Sequence, residues 1–134
     1  MAISYYEDLG ASSVDGIIAG SYPSADTFHI TIRKLSAAAT LKRGTLLDLS
    51  SGSGGDGHCV VHGTSAAANE TLTPFCILAD DTVIGTSTDV IAKAYRAGHF
   101  VKENLIIAEG ASISDADKED LRDVGILLSS AIEV

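Results

Sequence analysis

Apolar residues along this chain come in short runs separated by polar turns, the pattern of a strand-rich domain. Phe28-His29-Ile30-Thr31-Ile32 alternates with period two, which predicts a half-buried strand with His29 and Thr31 on its outer face. Thr45–Leu49, His58–Gly63, Phe75–Ala79, Val90–Tyr95, Leu105–Ala108 and Ile126–Leu128 read as further strands, the second stopped by its Gly63. Pro74 opens one of them, a position where its missing N–H is tolerated. Within Val90–Tyr95, Lys93 and Tyr95 share a face. Lys42–Thr45, Asp80-Asp81 and Glu109-Gly110 supply turns, and Gly98 a turn or a bulge. Leu35–Thr40 reads as a helical turn or loop, and Thr64–Thr73 as a polar loop. One segment carries helix signals. Ser114 can cap the first free amides, Asp115 and Asp117 suit the positive end of the dipole, and Gly125 fits the left-handed stop. Ala116, Leu121 and Val124 fall on one face of that helix, and Lys118 and Arg122 lie outside it, which reads as a structural plug. The pattern as a whole predicts a mostly β domain with one short C-terminal helix.

Composition narrows the picture. At 134 residues the chain fits a single domain that can fold without a metal or disulfide. Apolar residues make up 46%, so the chain is not a disordered one. Trp is absent and Ala is abundant, which suits a thin β-rich core. Net charge is −9 with only nine Lys and Arg, so no basic face is available for nucleic acid. No apolar run approaches the ~20 residues of a membrane span, and residues 1–20 lack the basic start and apolar core of a signal peptide. No membrane partner is expected. Cys59 and Cys76 can pair or can simply be small buried apolar residues, and the second reading is favoured.

Residues 1–26 differ from the rest. They hold five Ser, three Gly, one Pro and no Lys or Arg, which predicts an extended N-terminal arm ahead of a β domain at 27–134. Ile3, Tyr5, Tyr6, Ile17 and Ile18 are its adhesive points. Tyr offers large contact area at low entropy cost, which suits a docking segment.

Several patterns invite catalytic readings. Leu46–Gly57 resembles the first motif of S-adenosylmethionine methyltransferases, an apolar strand, an acid and a glycine loop, with Gly52, Gly54 and Gly57 spaced as G-x-G-x-x-G and Glu70 as a ribose-binding acid. That chemistry requires a helix directly after the glycines. His58–Gly63 favours a strand instead, so Asp48–Gly57 reads as a flexible hairpin tip. A bulky residue at Gly54 would abolish ligand binding in the cofactor reading and do little in a hairpin tip. His58 and His62 fall on one strand face with Cys59 on the other, and neither Cys76 nor His99 completes a zinc spacing. Asp80 and Asp81 are adjacent acids with no opposed carboxylate. No cofactor, metal or catalytic residue is expected.

Five segments carry a family resemblance. Leu41-Lys42-Arg43-Gly44-Thr45-Leu46-Leu47, Ile77-Leu78-Ala79-Asp80-Asp81, Gly98-His99-Phe100, Asn104-Leu105-Ile106 and Leu121-Arg122-Asp123-Val124-Gly125-Ile126-Leu127-Leu128 occur in that order. They resemble successive segments of the head decoration proteins of tailed bacteriophages, the family that includes the phage lambda capsid-stabilising protein. The resemblance spans roughly residues 35 to 130. It implies a small β-clip-like fold that trimerises on the outside of the expanded head, at three-fold and quasi-three-fold sites. The implied partners are the major capsid protein and two further copies of the chain, and the implied location is the virion surface, after synthesis in the host cytoplasm. The N-terminal arm would add as a strand to a capsid-protein sheet. A methyltransferase-like enzyme and a generic trimeric adhesin module are the alternatives.

Overall fold

The computed structural model describes residues 17–20 and 25–129. The chain is mostly β with one short helix near its C-terminal end. The elements are β1 (Ile18–Gly20), β2 (Asp26–Ile32), β3 (Ala39–Leu41), β4 (Leu46–Ser51), β5 (Cys59–Val61), β6 (Thr71–Leu78), β7 (Thr82–Ile84), β8 (Val90–Val101), α1 (Asp115–Asp123) and β9 (Ile126–Ser129).

Strands β8, β2, β5, β4 and β6 follow one another side by side, and β6 pairs back onto β8 through Ile77 opposite Tyr95 and Leu78 opposite Ala94. The sheet therefore closes into a five-stranded barrel. Its weakest seam is β2–β5, a parallel contact made only at Ile32 opposite Cys59. A barrel of so few strands has a narrow interior. The residues inside are correspondingly small or slender: Cys59, Cys76, Ala92 and Ala94 pack with Ile30, Ile32, Leu47, Leu78 and Ile84. This is where the Ala-rich composition goes. The alternation predicted for Phe28–Ile32 holds, with Ile30 and Ile32 buried and His29 exposed.

β8 is the longest strand and serves two cores. Ala92 and Ala94 face the barrel, while Lys93 and Tyr95 lie on its outer side. Lys93 stays exposed, but from Tyr95 onward that outer side is covered by a second cluster. It comprises Ile17, Leu46, Ile77, Ala79, Tyr95, Phe100, Leu105, Leu121 and Ile126. Here β8 pairs with β1 on one side and with β9 on the other, the latter in parallel. Gly98 enables the turn between the two halves. Its φ is +149°, and a Cβ there would lie 2.7 Å from the Phe100 ring.

α1 begins and ends where the capping signals place it. Ser114 Oγ accepts from Asp117 N at 3.1 Å and Asp117 Oδ2 accepts from Ser114 N at 2.9 Å, a reciprocal capping box. Only Leu121 of its residues is buried; Ala116 and Val124 are exposed, so the apolar face is narrower than the sequence pattern suggests.

Other expectations need correction. Leu105–Ala108 is not a strand. Ile106 makes one isolated bridge to Thr45, then the chain crosses to β5, where Ala108 N donates to the His62 carbonyl at 2.9 Å. Leu35–Thr40 ends in a strand, because Ala39–Leu41 pairs with β7 in a separate ribbon. The boundary at 26/27 also moves. β1 belongs to the domain sheet, so the domain includes residues 17–20.

Candidate functional site

The five residues expected to bind the capsid do not share one location. Ile3, Tyr5 and Tyr6 lie outside the described residues. Ile17 is 1% exposed in the second core, and its carbonyl accepts from Val101 N at 2.7 Å. Ile18 is half-buried in β1 opposite Phe100 and packs against the same core. The expectation that Ile17 contacts a partner is therefore corrected, whereas Ile18 keeps part of its surface exposed. An apolar side chain that fills the domain's own core has no surface left to offer.

The glycine loop does not build a nucleotide cradle. β4 leads through it into β5, so no helix starts there to present free amides. Its amides are already used: Gly54 N donates to Asn69 O at 2.8 Å, Gly55 N to Gly52 O at 3.1 Å and Gly57 N to Ser50 O at 3.0 Å. Nor is it a loose hairpin tip. A Cβ on Gly54 would fall 2.2 Å from the Ala68 carbonyl oxygen, which leaves no room for a side chain. Asp48, expected in this tip, is a buried residue of β4.

Polar side chains fasten this end of the barrel. Arg33 holds Asp56 through Nε and an Nη at 3.0 Å each and also donates to Glu70. Glu70 accepts in addition from Ser50 Oγ and from Ala67 N. The Ala67 amide, the Ser50 hydroxyl and the Arg33 guanidinium together pull its pKa down to about 2. Glu70, the candidate ribose acid, is thus spent on structure. His58 Nδ1 lies 3.4 Å from Asp56 and 3.3 Å from Asp89. No cluster of His, Cys, Asp and Glu suited to a metal occurs among the described residues.

A second polar centre couples β4, β5 and α1. His62 Nδ1 lies 2.8 Å from Asp48 Oδ1, and Nε2 lies 2.9 Å from the Ser112 carbonyl and 3.3 Å from Asp117 Oδ2. A carbonyl only accepts, so Nε2 carries a proton. Between Nδ1 and Asp48 there is then one shared proton. Burial opposes charge on His62, but the Asp48 and Ser112 bonds and the nearby carboxylates outweigh it and raise its pKa. Burial also raises that of Asp48, against the pull of His62. With both ring nitrogens engaged, His62 is not placed to act as a base on a ligand.

A cavity of about 230 Å³ opens between α1 and the β8–β9 sheet. His99, Lys118, Arg122, Ile126, Leu127 and Leu128 line it. The sequence reading missed it, although the spacing of Lys118 and Arg122 one turn apart, just before the apolar Ile126–Leu128, was its available signal. No helix among the described residues is long and apolar enough to cross a membrane. No protein-family model matches the chain, and no curated protein matches it at a significant level.

Proposed function

We propose that the chain is a capsid decoration protein of a tailed bacteriophage. In this reading it is a structural virion protein rather than an enzyme and takes no cofactor. It binds the outer surface of the expanded head as trimers at three-fold and quasi-three-fold sites, clamps neighbouring major capsid proteins, and strengthens the shell against packaged DNA. One observation carries the proposal. All five segments that resemble the decoration family supply residues to a single core: Leu46 from the first, Ile77 and Ala79 from the second, Phe100 from the third, Leu105 from the fourth, and Leu121 and Ile126 from the fifth. Support comes from the order of the five segments along the chain together with this shared core, while Leu47 of the first segment and Leu78 of the second turn into the barrel core instead.

The mechanism is mechanical. Strand addition lets backbone hydrogen bonds supply affinity and covers sheet edges. Many such contacts on one shell act together, so each can be weak. The acidic balance keeps the free protein soluble at high concentration. Ile17 leads into β1, which ends the described strand order of its sheet, so the adhesive residues that remain for the arm are Ile3, Tyr5 and Tyr6.

Co-sedimentation with expanded and unexpanded heads of the phage that carries the gene tests this reading. The chain is expected to pellet with expanded heads only, saturating at a multiple of three copies per three-fold site. Replacing Tyr5 and Tyr6 by Ser is expected to weaken binding while leaving the circular dichroism spectrum unchanged. Absence of binding to either shell would contradict the proposal.

A further inference from the structure

We propose that the groove between β9 and α1 is a docking site for an extended acidic peptide segment of a partner protein, which adds as a strand along β9. This does not depend on the capsid reading. Charge is the first argument. The chain carries −9 and α1 itself holds five carboxylates, yet among the described residues the cavity lining includes Lys118 and Arg122 and no carboxylate. Lys118 and Arg122 are four residues apart on a helix and so face the same way. Their ion pairs are with Asp115 at 3.8 Å and Glu119 at 3.3 Å on the same helix, and those acids are 101% and 62% exposed. Such solvated pairs contribute roughly 0–1 kcal/mol, so an incoming carboxylate displaces them easily.

The floor is the second argument. Three consecutive residues, Ile126, Leu127 and Leu128, line the cavity, so the β9 backbone faces it as well as the side chains. β9 pairs with β8 alone, and no backbone hydrogen bond from another described segment reaches it. Leu127, Leu128 and Ser129 are half-exposed. An edge that no other described segment covers, beside two cations held only by solvated partners, fits an extended chain. Size is the third argument. A volume of about 230 Å³ lies below the ~300–1,000 Å³ of small-molecule pockets and suits one large side chain of a single segment. Two helix cations and a histidine on a strongly acidic protein are too few to hold a nucleic-acid backbone.

The test titrates the intact, isotope-labelled chain with two synthetic hexapeptides, one alternating Val and Glu and one alternating Val and Lys, and follows backbone amide signals. The Val-Glu peptide is expected to shift the amides of Leu127, Leu128 and Ser129 and to slow the exchange of those that point away from β8, while the Val-Lys peptide binds at least about tenfold more weakly. The double variant Lys118→Ala, Arg122→Ala is expected to lose affinity for the Val-Glu peptide by about tenfold, with its remaining amide spectrum unchanged. Equal binding of the two peptides, no shift at millimolar peptide, or an unaffected double variant would overturn the proposal. So would protection, before any peptide is added, of those Leu127–Ser129 amides that point away from β8, because the chain itself would then occupy the edge.

Discussion

Asp48 and His62 hold one proton between them beneath the strap that runs from Ile106 to Asp117. Both have raised pKa values, so the folded state binds protons more tightly than the unfolded one. The contribution of His62 is complete below pH 6.5 and is lost as the pH rises through its higher folded value. Chemical denaturation between pH 6 and 9 is expected to show stability falling with pH. His62→Gln should cost about 1–3 kcal/mol at pH 6 and flatten that fall. Glu70 has the opposite sign. Its folded pKa of about 2 lies below the ordinary 4.5, so its stabilisation is present above pH 4.5 and lost as the pH falls toward 2. Glu70→Gln should remove a measurable part of the acid limb of the same curve. The sequence shows His58 and His62 but not these partners. Asp48 fell where the predicted Thr45–Leu49 strand overlaps the predicted Asp48–Gly57 tip, and Ser112 and Asp117 are distant in sequence.

Among the elements, the β4–β5 hairpin was legible and its rigidity was not. Glycine-rich composition reads as looseness, yet Gly52 and Gly54 lie against the Ala68–Asn69 backbone, with no room there for a side chain. Gly54→Val is therefore expected to lower the unfolding midpoint clearly, against the mild effect anticipated for a free tip. The cysteines follow from strand order. β4 lies between β5, which carries Cys59, and β6, which carries Cys76. Two inter-strand spacings separate their backbones by roughly 9–10 Å, beyond the ~7 Å limit for a disulfide. Their thiols nonetheless meet inside the barrel, where the bond to the Cys59 sulfur and then burial raise the Cys76 pKa. Both thiols are expected to stay unreactive to a disulfide reagent in the native protein and to react fully on unfolding. A native Cys59–Cys76 bridge under mild oxidation would contradict the register. α1 was the best-read element, because caps are local signals. The length of β8 was underestimated, because Arg96-Ala97-Gly98 breaks the apolar pattern where the strand passes from one core to the next.

For the whole molecule, the strand-rich class was legible, but closure into a barrel with a second core was not. Short strands declare their faces, not their neighbours. The arm-and-domain division was read from composition, which cannot see that Ile17 fills a core and Ile18 packs against it. The central claim is that this domain stabilises a shell under internal pressure. The most direct measurement is DNA release from packaged heads that lack a decoration protein, followed by dye fluorescence on heating with and without saturating added chain. The account predicts a rise of several degrees in the release midpoint, smaller with the Tyr5→Ser, Tyr6→Ser variant. An unchanged midpoint with the intact chain bound to the heads would contradict it.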